Sequence, residues 1–259
     1  MSIRVLVVDD EPLARLGVAV RLGEHPDMEV IGESGSAEDA ARCVLEMRPD
    51  LMFLDIQMPG LSGLEVLRIL PPGRAPCAIF LTAHAEFAVE AFGVEALDYL
   101  LKPVDGARFS ASLERVRRLL ALRQQAGDPE QPSSLNASRK STGEPIRRFV
   151  VRQGNEIRVL NTADVDWIEG LGDYAGLHVR GKTYLLRQSL TTLVQQLDPD
   201  TFFRVHRSAI IQLDRVHRLQ HLTNRDLSIT LQDGTHIRGS RTYSVEFLRL
   251  FAPESIQRA

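Results

Sequence analysis

The sequence predicts two structured parts in one chain: a doubly wound α/β domain built on a five-stranded parallel sheet, then a mainly antiparallel β domain. Three observations carry this. Over residues 1–122 short unbroken apolar runs alternate with stretches of helical periodicity, the pattern of a parallel sheet covered on both faces. Residues 123–145 hold three Pro, two Gly and four Ser, with Leu135 their one large apolar residue, which is linker composition. From Phe149 onward apolar residues recur at every second position, the period of half-buried strands. The expected layout is therefore 1–122, a flexible linker over 123–145, and 146–259.

Taken in order, Ile3–Val8 is the first strand and stops at Asp9-Asp10-Glu11. Leu13, Leu16 and Val20 follow at helical spacing, and Val30–Ile31 reads as a short strand. Ser36 caps a helix, with Asp39 three residues on and a stripe of Ala37, Ala40, Ala41, Val44 and Leu45. Leu51–Leu54, Ala78–Leu81 and Tyr99–Leu101 are three more buried strands; Phe109, Leu113, Val116 and Leu120 mark a last helix. In the second part Ile157/Val159, Leu177/Val179 and Leu227/Ile229/Leu231 alternate with polar residues, and Gly181-Lys182 and Asp233-Gly234 signal turns. Leu190, Leu193, Val194 and Leu197 form one helix there. Tyr243, Phe247, Leu250 and Phe251 form another, with Ser240 as its N-cap. No internal repeat has a solenoid period.

The 259 residues are 44% apolar and 25% charged, an ordinary globular composition. No apolar run reaches the roughly 18–20 residues that span a bilayer. The N-terminus lacks a secretory pattern. The reading is therefore cytoplasmic, with no membrane partner. Cys43 and Cys77 have no metal-ligand spacing and read as buried thiols in a reducing compartment. Charge is split: residues 1–122 carry 12 Lys/Arg against 19 Asp/Glu, and residues 146–259 carry 16 against 12. An acidic and a basic half imply different partners. Of those 16 basic residues 15 are Arg, the side chain that forks onto phosphate and guanine.

In a doubly wound sheet, function gathers at the carboxyl ends of the strands, where strand order reverses. Strand one ends in Asp9 and Asp10, strand three in Asp55, strand four in Thr82 and strand five in Lys102-Pro103. Three carboxylates in one cleft repel one another and call for a cation, and hard oxygens suit Mg2+. A carboxylate is a nucleophile toward phosphorus, and phosphoryl transfer needs positioning and charge neutralisation above all. Lys102 can neutralise phosphoryl oxygens and Thr82 can donate a hydrogen bond to one. Taken singly, an Asp after a strand is a turn residue or helix cap and a Lys-Pro is a loop; together at the right strand ends they make a site.

Val7-Val8-Asp9-Asp10-Glu11-Pro12, Leu54-Asp55-Ile56-Gln57-Met58-Pro59-Gly60, Leu81-Thr82-Ala83-His84 and Tyr99-Leu100-Leu101-Lys102-Pro103 resemble the motifs of response-regulator receiver domains, which are flavodoxin-like. The resemblance implies Asp55 as phosphoacceptor and Asp9 and Asp10 as the acidic pair. It implies a Mg2+ site completed by the Gln57 backbone carbonyl, Lys102 paired with the phosphoryl group before a cis proline, and Tyr99 as an aromatic that turns inward on phosphorylation. Glu11 reads as a first-turn acid, and His84 and His25 as surface residues.

Phe202-Phe203-Arg204-Val205-His206-Arg207-Ser208-Ala209-Ile210-Ile211 resembles the signature strand of LytTR DNA-binding domains. So do Val165-Asp166-Trp167-Ile168-Glu169, Leu186-Arg187-Gln188-Ser189-Leu190 and Gly239-Ser240-Arg241. With the receiver, and with Thr82–Ala88, the whole chain is similar to the LytR/AlgR family. That implies a ten-stranded β-fold whose edge loops enter successive major grooves. The implied contacts are the loop Gly170–Gly176, Arg207 and Arg241, with Arg187 and Arg204 on phosphates. Here that loop has no basic residue, so Asp173 or Tyr174 would read a base edge, or the loop contributes shape. Gln212-Leu213-Asp214 departs from the Asn frequent after the signature strand. His206 reads as a structural hydrogen-bonding residue, Trp167 as core, and the remaining C-terminal histidines as dispersed, with no zinc-like spacing. The start of the last helix is a favourable place for a phosphate.

The implied function is a two-component transcription regulator. A sensor histidine kinase phosphorylates Asp55, a homodimer forms, and two tethered basic domains bind paired repeat sites on duplex DNA. A catalytic output finds no nucleophile–base pair, phosphate-cradling loop or metal cluster in residues 146–259. An RNA-binding output calls for exposed aromatics on a sheet, whereas aromatics are 6% of the chain. A protein-binding output ranks between the DNA regulator and the enzyme.

Overall fold

The computed structural model describes residues 2–71, 74–83, 96–126, 145–154, 156–222 and 226–251. It divides into two compact units, Met1–Leu120 and Ala121–Ala259.

The first unit runs β1 (Ile3–Val8), α1 (Pro12–Leu22), β2 (Met28–Ser34), α2 (Ala37–Met47), β3 (Leu51–Asp55), α3 (Gly63–Ile69), β4 (Cys77–Thr82), β5 (Asp98–Leu101) and α4 (Gly106–Ala126). All strand pairs are parallel, in the order β2-β1-β3-β4-β5. The predicted doubly wound sheet is thus present, with the flavodoxin-like order. Val5–Val8, Leu51–Leu54 and Ile79–Leu81 are fully buried. Each large apolar side chain so buried stabilises the fold by ~1.5–3 kcal/mol. Ser36 caps α2 by accepting the Asp39 backbone N–H. Arg117 forks onto Asp27 at 2.7 Å through both Nε and Nη2, tying α4 to the turn before β2.

Three features depart from the sequence reading. Leu13, Leu16 and Val20 are exposed, because α1 turns Val18 and Leu22 inward, with Ala14 half-buried on the same i, i+4 row. His25 is half-buried, with its ring 6.3 Å from that of Phe109. α4 continues to Ala126, past the expected linker start. The rest of that linker to residue 144, and the Thr82–Ala88 segment from His84 onward, lie outside the described residues.

The second unit contains β6 (Arg148–Gln153), β7 (Glu156–Asn161), β8 (Trp167–Leu171), β9 (Tyr174–Val179), β10 (Lys182–Leu186), α5 (Leu190–Val194), β11 (Phe202–His206), β12 (Ala209–Gln212), β13 (Val216–His221), β14 (Leu227–Leu231), β15 (His236–Gly239) and α6 (Arg241–Phe251). These ten strands pair antiparallel, as β10-β9-β8-β12-β11, β13-β14-β15 and β6-β7. Ile168, Leu177, Leu193 and Ile210 centre one core, and Ile211, Ile229 and Phe247 a second. The alternation at Ile157/Val159 is real, but both side chains face out. They share a face with Val150, whereas the hairpin buries Phe149 and Val151. The turn after β9 is Arg180-Gly181, both at positive φ (49° and 76°), so Lys182 already belongs to β10. Among the described residues no helix is long and apolar enough to cross a membrane.

Candidate functional site

β1 and β3 are neighbours on either side of the point where strand order reverses, and their carboxyl ends carry Asp9, Asp10 and Asp55. Asp9 is fully buried and Asp55 and Thr82 nearly so. The Lys102 ammonium donates to Asp9 Oδ2 and to Asp55 Oδ2, both at 2.6 Å. The second oxygens of these two carboxylates accept backbone N–H groups, Asp9 from Glu11 at 3.0 Å and Asp55 from Gln57 at 3.2 Å. Every oxygen is thereby aimed. Arg15 donates to the Asp9 main-chain carbonyl at 2.7 Å and pairs with Glu33 at 3.0 Å, which anchors α1 beside the pocket.

The electrostatics follow from this packing. Burial pushes the Lys102 ammonium down, but its hydrogen bonds to Asp55 and Asp9 outweigh that and hold it above the ordinary lysine value. The lysine thus stays charged between two carboxylates that would otherwise repel. One ligand oxygen each from Asp9, Asp10 and Asp55 lies within 4.8 Å of the others. A donor set of three hard carboxylate oxygens, of which Lys102 neutralises only part, fits a divalent cation of the Mg2+ type. Lys102 is fixed on the pocket by its backbone N–H, which donates to the Thr82 carbonyl at 2.7 Å, and its bond to Pro103 is cis.

Four further residues around this pocket, Ser62, Gly63, Glu65 and Asp98, were invisible to the motif reading. Ser62 and Glu65 form a reciprocal capping box that starts α3. The next residue, Gly63, donates its N–H to the Ile56 carbonyl at 2.9 Å and lies flat against the strand that carries Asp55. A Cβ there would fall onto the Asp55 carbonyl oxygen, 2.9 Å from Leu54 Cγ. Asp98, buried at the start of β5, accepts from Ser112 at 2.7 Å and lies 3.5 Å from Arg115, which fastens β5 to α4. Its neighbour Tyr99 is half-buried and stacks on Phe80, with ring centroids 5.2 Å apart.

In the second unit three backbone segments meet at one edge. The Gly170 N–H donates to the Ser208 carbonyl at 2.9 Å, and the Ser240 N–H to the Val205 carbonyl at 2.9 Å. The His206-Arg207-Ser208 turn thus sits between the end of β8 and the start of α6. Within it His206 Nδ1 accepts the Ser208 N–H at 3.2 Å and lies 2.8 Å from its hydroxyl.

This edge revises four sequence expectations. Gly170–Gly176 is not an open loop. Ladder pairing continues to Leu171↔Tyr174, leaving a two-residue turn, Gly172-Asp173, that Gly172 permits at φ 66°. Tyr174 is buried rather than offered to a base. The Arg123 guanidinium, on the second unit's side of the division, lies 4.5 Å from its ring centroid, and Arg187 lies at 6.0 Å. Arg204 spends its donors inside the protein, on the Arg207 carbonyl at 2.7 Å, the His206 carbonyl at 3.4 Å and Thr191 Oγ1 at 3.2 Å, so it braces the turn that presents Arg207. The start of α6 is already served by an anion: Asp226 Oδ1 accepts the Arg241 N–H at 3.0 Å, a longer-range cap than Ser240. Asp173 and Arg207 are half-buried and Arg241 is exposed.

Comparison with known proteins gives a consistent result. Residues 5–114 match the family profile of the response regulator receiver domain, and residues 155–252 that of the LytTr DNA-binding domain. The transcriptional regulatory protein BtsR of Escherichia coli is 35% identical over 244 residues, covering 93% of this chain and 95% of its own length. The sensory transduction protein LytT of Bacillus cereus is 30% identical over 249 residues, covering 96% and 98%. Among solved structures, the REC domain of AraT from Geobacillus stearothermophilus is 32% identical, with a TM-score of 0.44, and covers 48% of this chain and 99% of that one.

Proposed function

The chain belongs to the LytTR-family response regulators, which are transcriptional regulators and not enzymes, and from that premise we propose that it takes a phosphoryl group onto Asp55 from a sensor histidine kinase and thereby governs sequence-specific binding to duplex DNA. The observation that carries the reading is the Lys102 bridge between Asp9 and Asp55. It supports the reading because an ammonium bonded to the Asp55 carboxylate can offset charge that develops on a phosphoryl group transferred there. An Asp55 carboxylate oxygen attacks phosphorus, the P–N bond to the kinase histidine breaks, and the electron pair stays on that imidazole nitrogen. Asp9, Asp10, Asp55 and the Gln57 carbonyl would hold Mg2+, which when bound supplies charge neutralisation for the phosphoryl oxygens. Lys102 pairs with one phosphoryl oxygen and Thr82 donates to another. Tyr99, which pairs with Phe80 on β4 two residues before Thr82, is the residue that reports the new charge by reorienting.

In this reading the receiver spans 1–122 and the DNA-binding domain 146–259, with the linker between them shortened at its start by α4, which runs to Ala126, in a cytoplasmic protein. Phosphorylation favours a homodimer whose two basic domains occupy paired repeat sites. Arg207 and Arg241 reach base edges, Asp173 at its turn completes the edge, and Arg187 contacts the backbone.

The test is phosphoryl uptake from a small acyl phosphate in the presence of Mg2+. The parent chain should become labelled and Asp55→Asn should not. Equal labelling of both would remove Asp55 from its assigned role.

A further inference from the structure

We propose that Arg238, held by Asp226, is a contact to the DNA backbone that extends the DNA-facing edge along β15. The proposal rests on the reading of Arg207 and Arg241 as DNA contacts. Arg238 is 67% exposed at its side chain, yet it is not loose. Its Nε and Nη2 both donate to Asp226 Oδ2, at 3.0 and 2.5 Å. Asp226 is 14% exposed, and its other oxygen accepts the Arg241 N–H at 3.0 Å. One carboxylate therefore fixes the side chain of Arg238 and the backbone of Arg241 together. Capping α6 accounts for the second bond but not for the first.

Two of the five guanidinium donors serve Asp226, which leaves three for a ligand. A guanidinium already fixed in place loses less freedom when it meets a phosphate. The surrounding face fits the same partner. In the β13–β14–β15 register, Gln220, Ser228 and Arg238 form one row and Arg218, Thr230 and His236 the next. Ile229, Ile237 and Gly239 are buried on the opposite side. These two rows offer hydrogen-bond donors and positive charge with no carboxylate among them. The Ser240–Val205 backbone bond joins the end of β15 to the turn that carries Arg207. A polyanion laid along the edge from Arg207 past Arg241 meets Arg238 next.

The experiment is a salt series of duplex DNA binding by the full chain, using a labelled duplex that the parent selects from genomic fragments. Loss of one phosphate contact lowers the log–log salt slope by about 0.9. Arg238→Gln should therefore lose about 3.5-fold less affinity than the parent between 50 and 200 mM salt. Arg238→Lys keeps the charge without the fork, so it should restore the slope while binding more weakly than the parent. Circular dichroism confirms that each variant is folded. An unchanged slope in Arg238→Gln, with weakened binding in Arg207→Ala and Arg241→Ala, would overturn this contact alone. Parent-like affinity and slope in all three would overturn the DNA edge itself.

Discussion

Replacing Gly63 by Ala tests whether Asp55, the proposed phosphoacceptor, is positioned by a close backbone approach. The new methyl group would strike the Asp55 carbonyl oxygen and come 2.9 Å from Leu54 Cγ and 3.0 Å from the Asp55 carbonyl carbon. Carbon–carbon contacts ordinarily settle at about 3.5–4.0 Å, so α3 or β3 must move by roughly half an ångström or more. Two of these atoms belong to the backbone of a fully buried strand, which cannot swing aside as a flexible side chain would. Overpacking costs ~1–3 kcal/mol, and this geometry belongs at the upper end. For a domain of this size that lowers the melting temperature by about 10 °C. Misplacing the reacting carboxylate by ~1 Å can slow its chemistry by ~100-fold. Calorimetry of the full chain and the phosphoryl-uptake rate measure the two effects. Gly17→Ala is the internal control. Nothing lies within 4 Å of its Cβ position on α1, and removing a helical glycine should stabilise by ~1 kcal/mol. A Gly63→Ala chain that melts and accepts phosphoryl like the parent would refute the reasoning.

Other consequences follow from the same geometry. Lys102→Ala leaves Asp9 and Asp55 buried without their cation, which should cost ~3–5 kcal/mol in the absence of divalent ions. Mg2+ should then raise its melting temperature more than the parent's, and equal shifts would contradict the charge account. Hydrogen bonds from Arg117 hold the Asp27 carboxyl below the usual aspartate range. With the folded value depressed, the stability it contributes is present above the unfolded pKa and is lost as pH falls through the folded one. Asp27→Asn should therefore cost up to ~1 kcal/mol at neutral pH, and the gap should close below about pH 4; a gap independent of pH in denaturant titrations would count against the pair. Ser62→Ala removes one half of the α3 capping box and should destabilise the first unit by ~1 kcal/mol, as read from the denaturation midpoint.

The parallel sheet was legible because strands buried on both faces must be unbroken apolar runs, as Val5–Val8 and Leu51–Leu54 are. The carboxylate pocket was legible for a related reason: in such a sheet its residues are those that follow each run. What escaped depends on which face turns inward. Leu13, Leu16 and Val20 have helical spacing, but α1 buries the row of Val18 and Leu22 instead. Ile157 and Val159 alternate correctly and face out, since strand period fixes the alternation and not its phase. Pairings between distant segments left no local trace. Asp98 with Ser112 and Arg115, Gly63 against Asp55, and Asp226 capping α6 from before β14 each need the fold to bring them together. Tyr174 read as a loop residue because its turn is shorter than the glycine-rich segment around it suggested.

The central claim is that charge arriving at Asp55 changes how the second domain meets DNA. The most direct measurement is the affinity of the full chain for its selected duplex, before and after phosphorylation, beside Asp55→Asn treated identically. The phosphorylated parent should bind more tightly than either the untreated parent or the variant, because two tethered domains engage paired sites with an avidity that one lacks. Identical affinities in all three, for a parent shown to carry the phosphoryl group, would contradict the account.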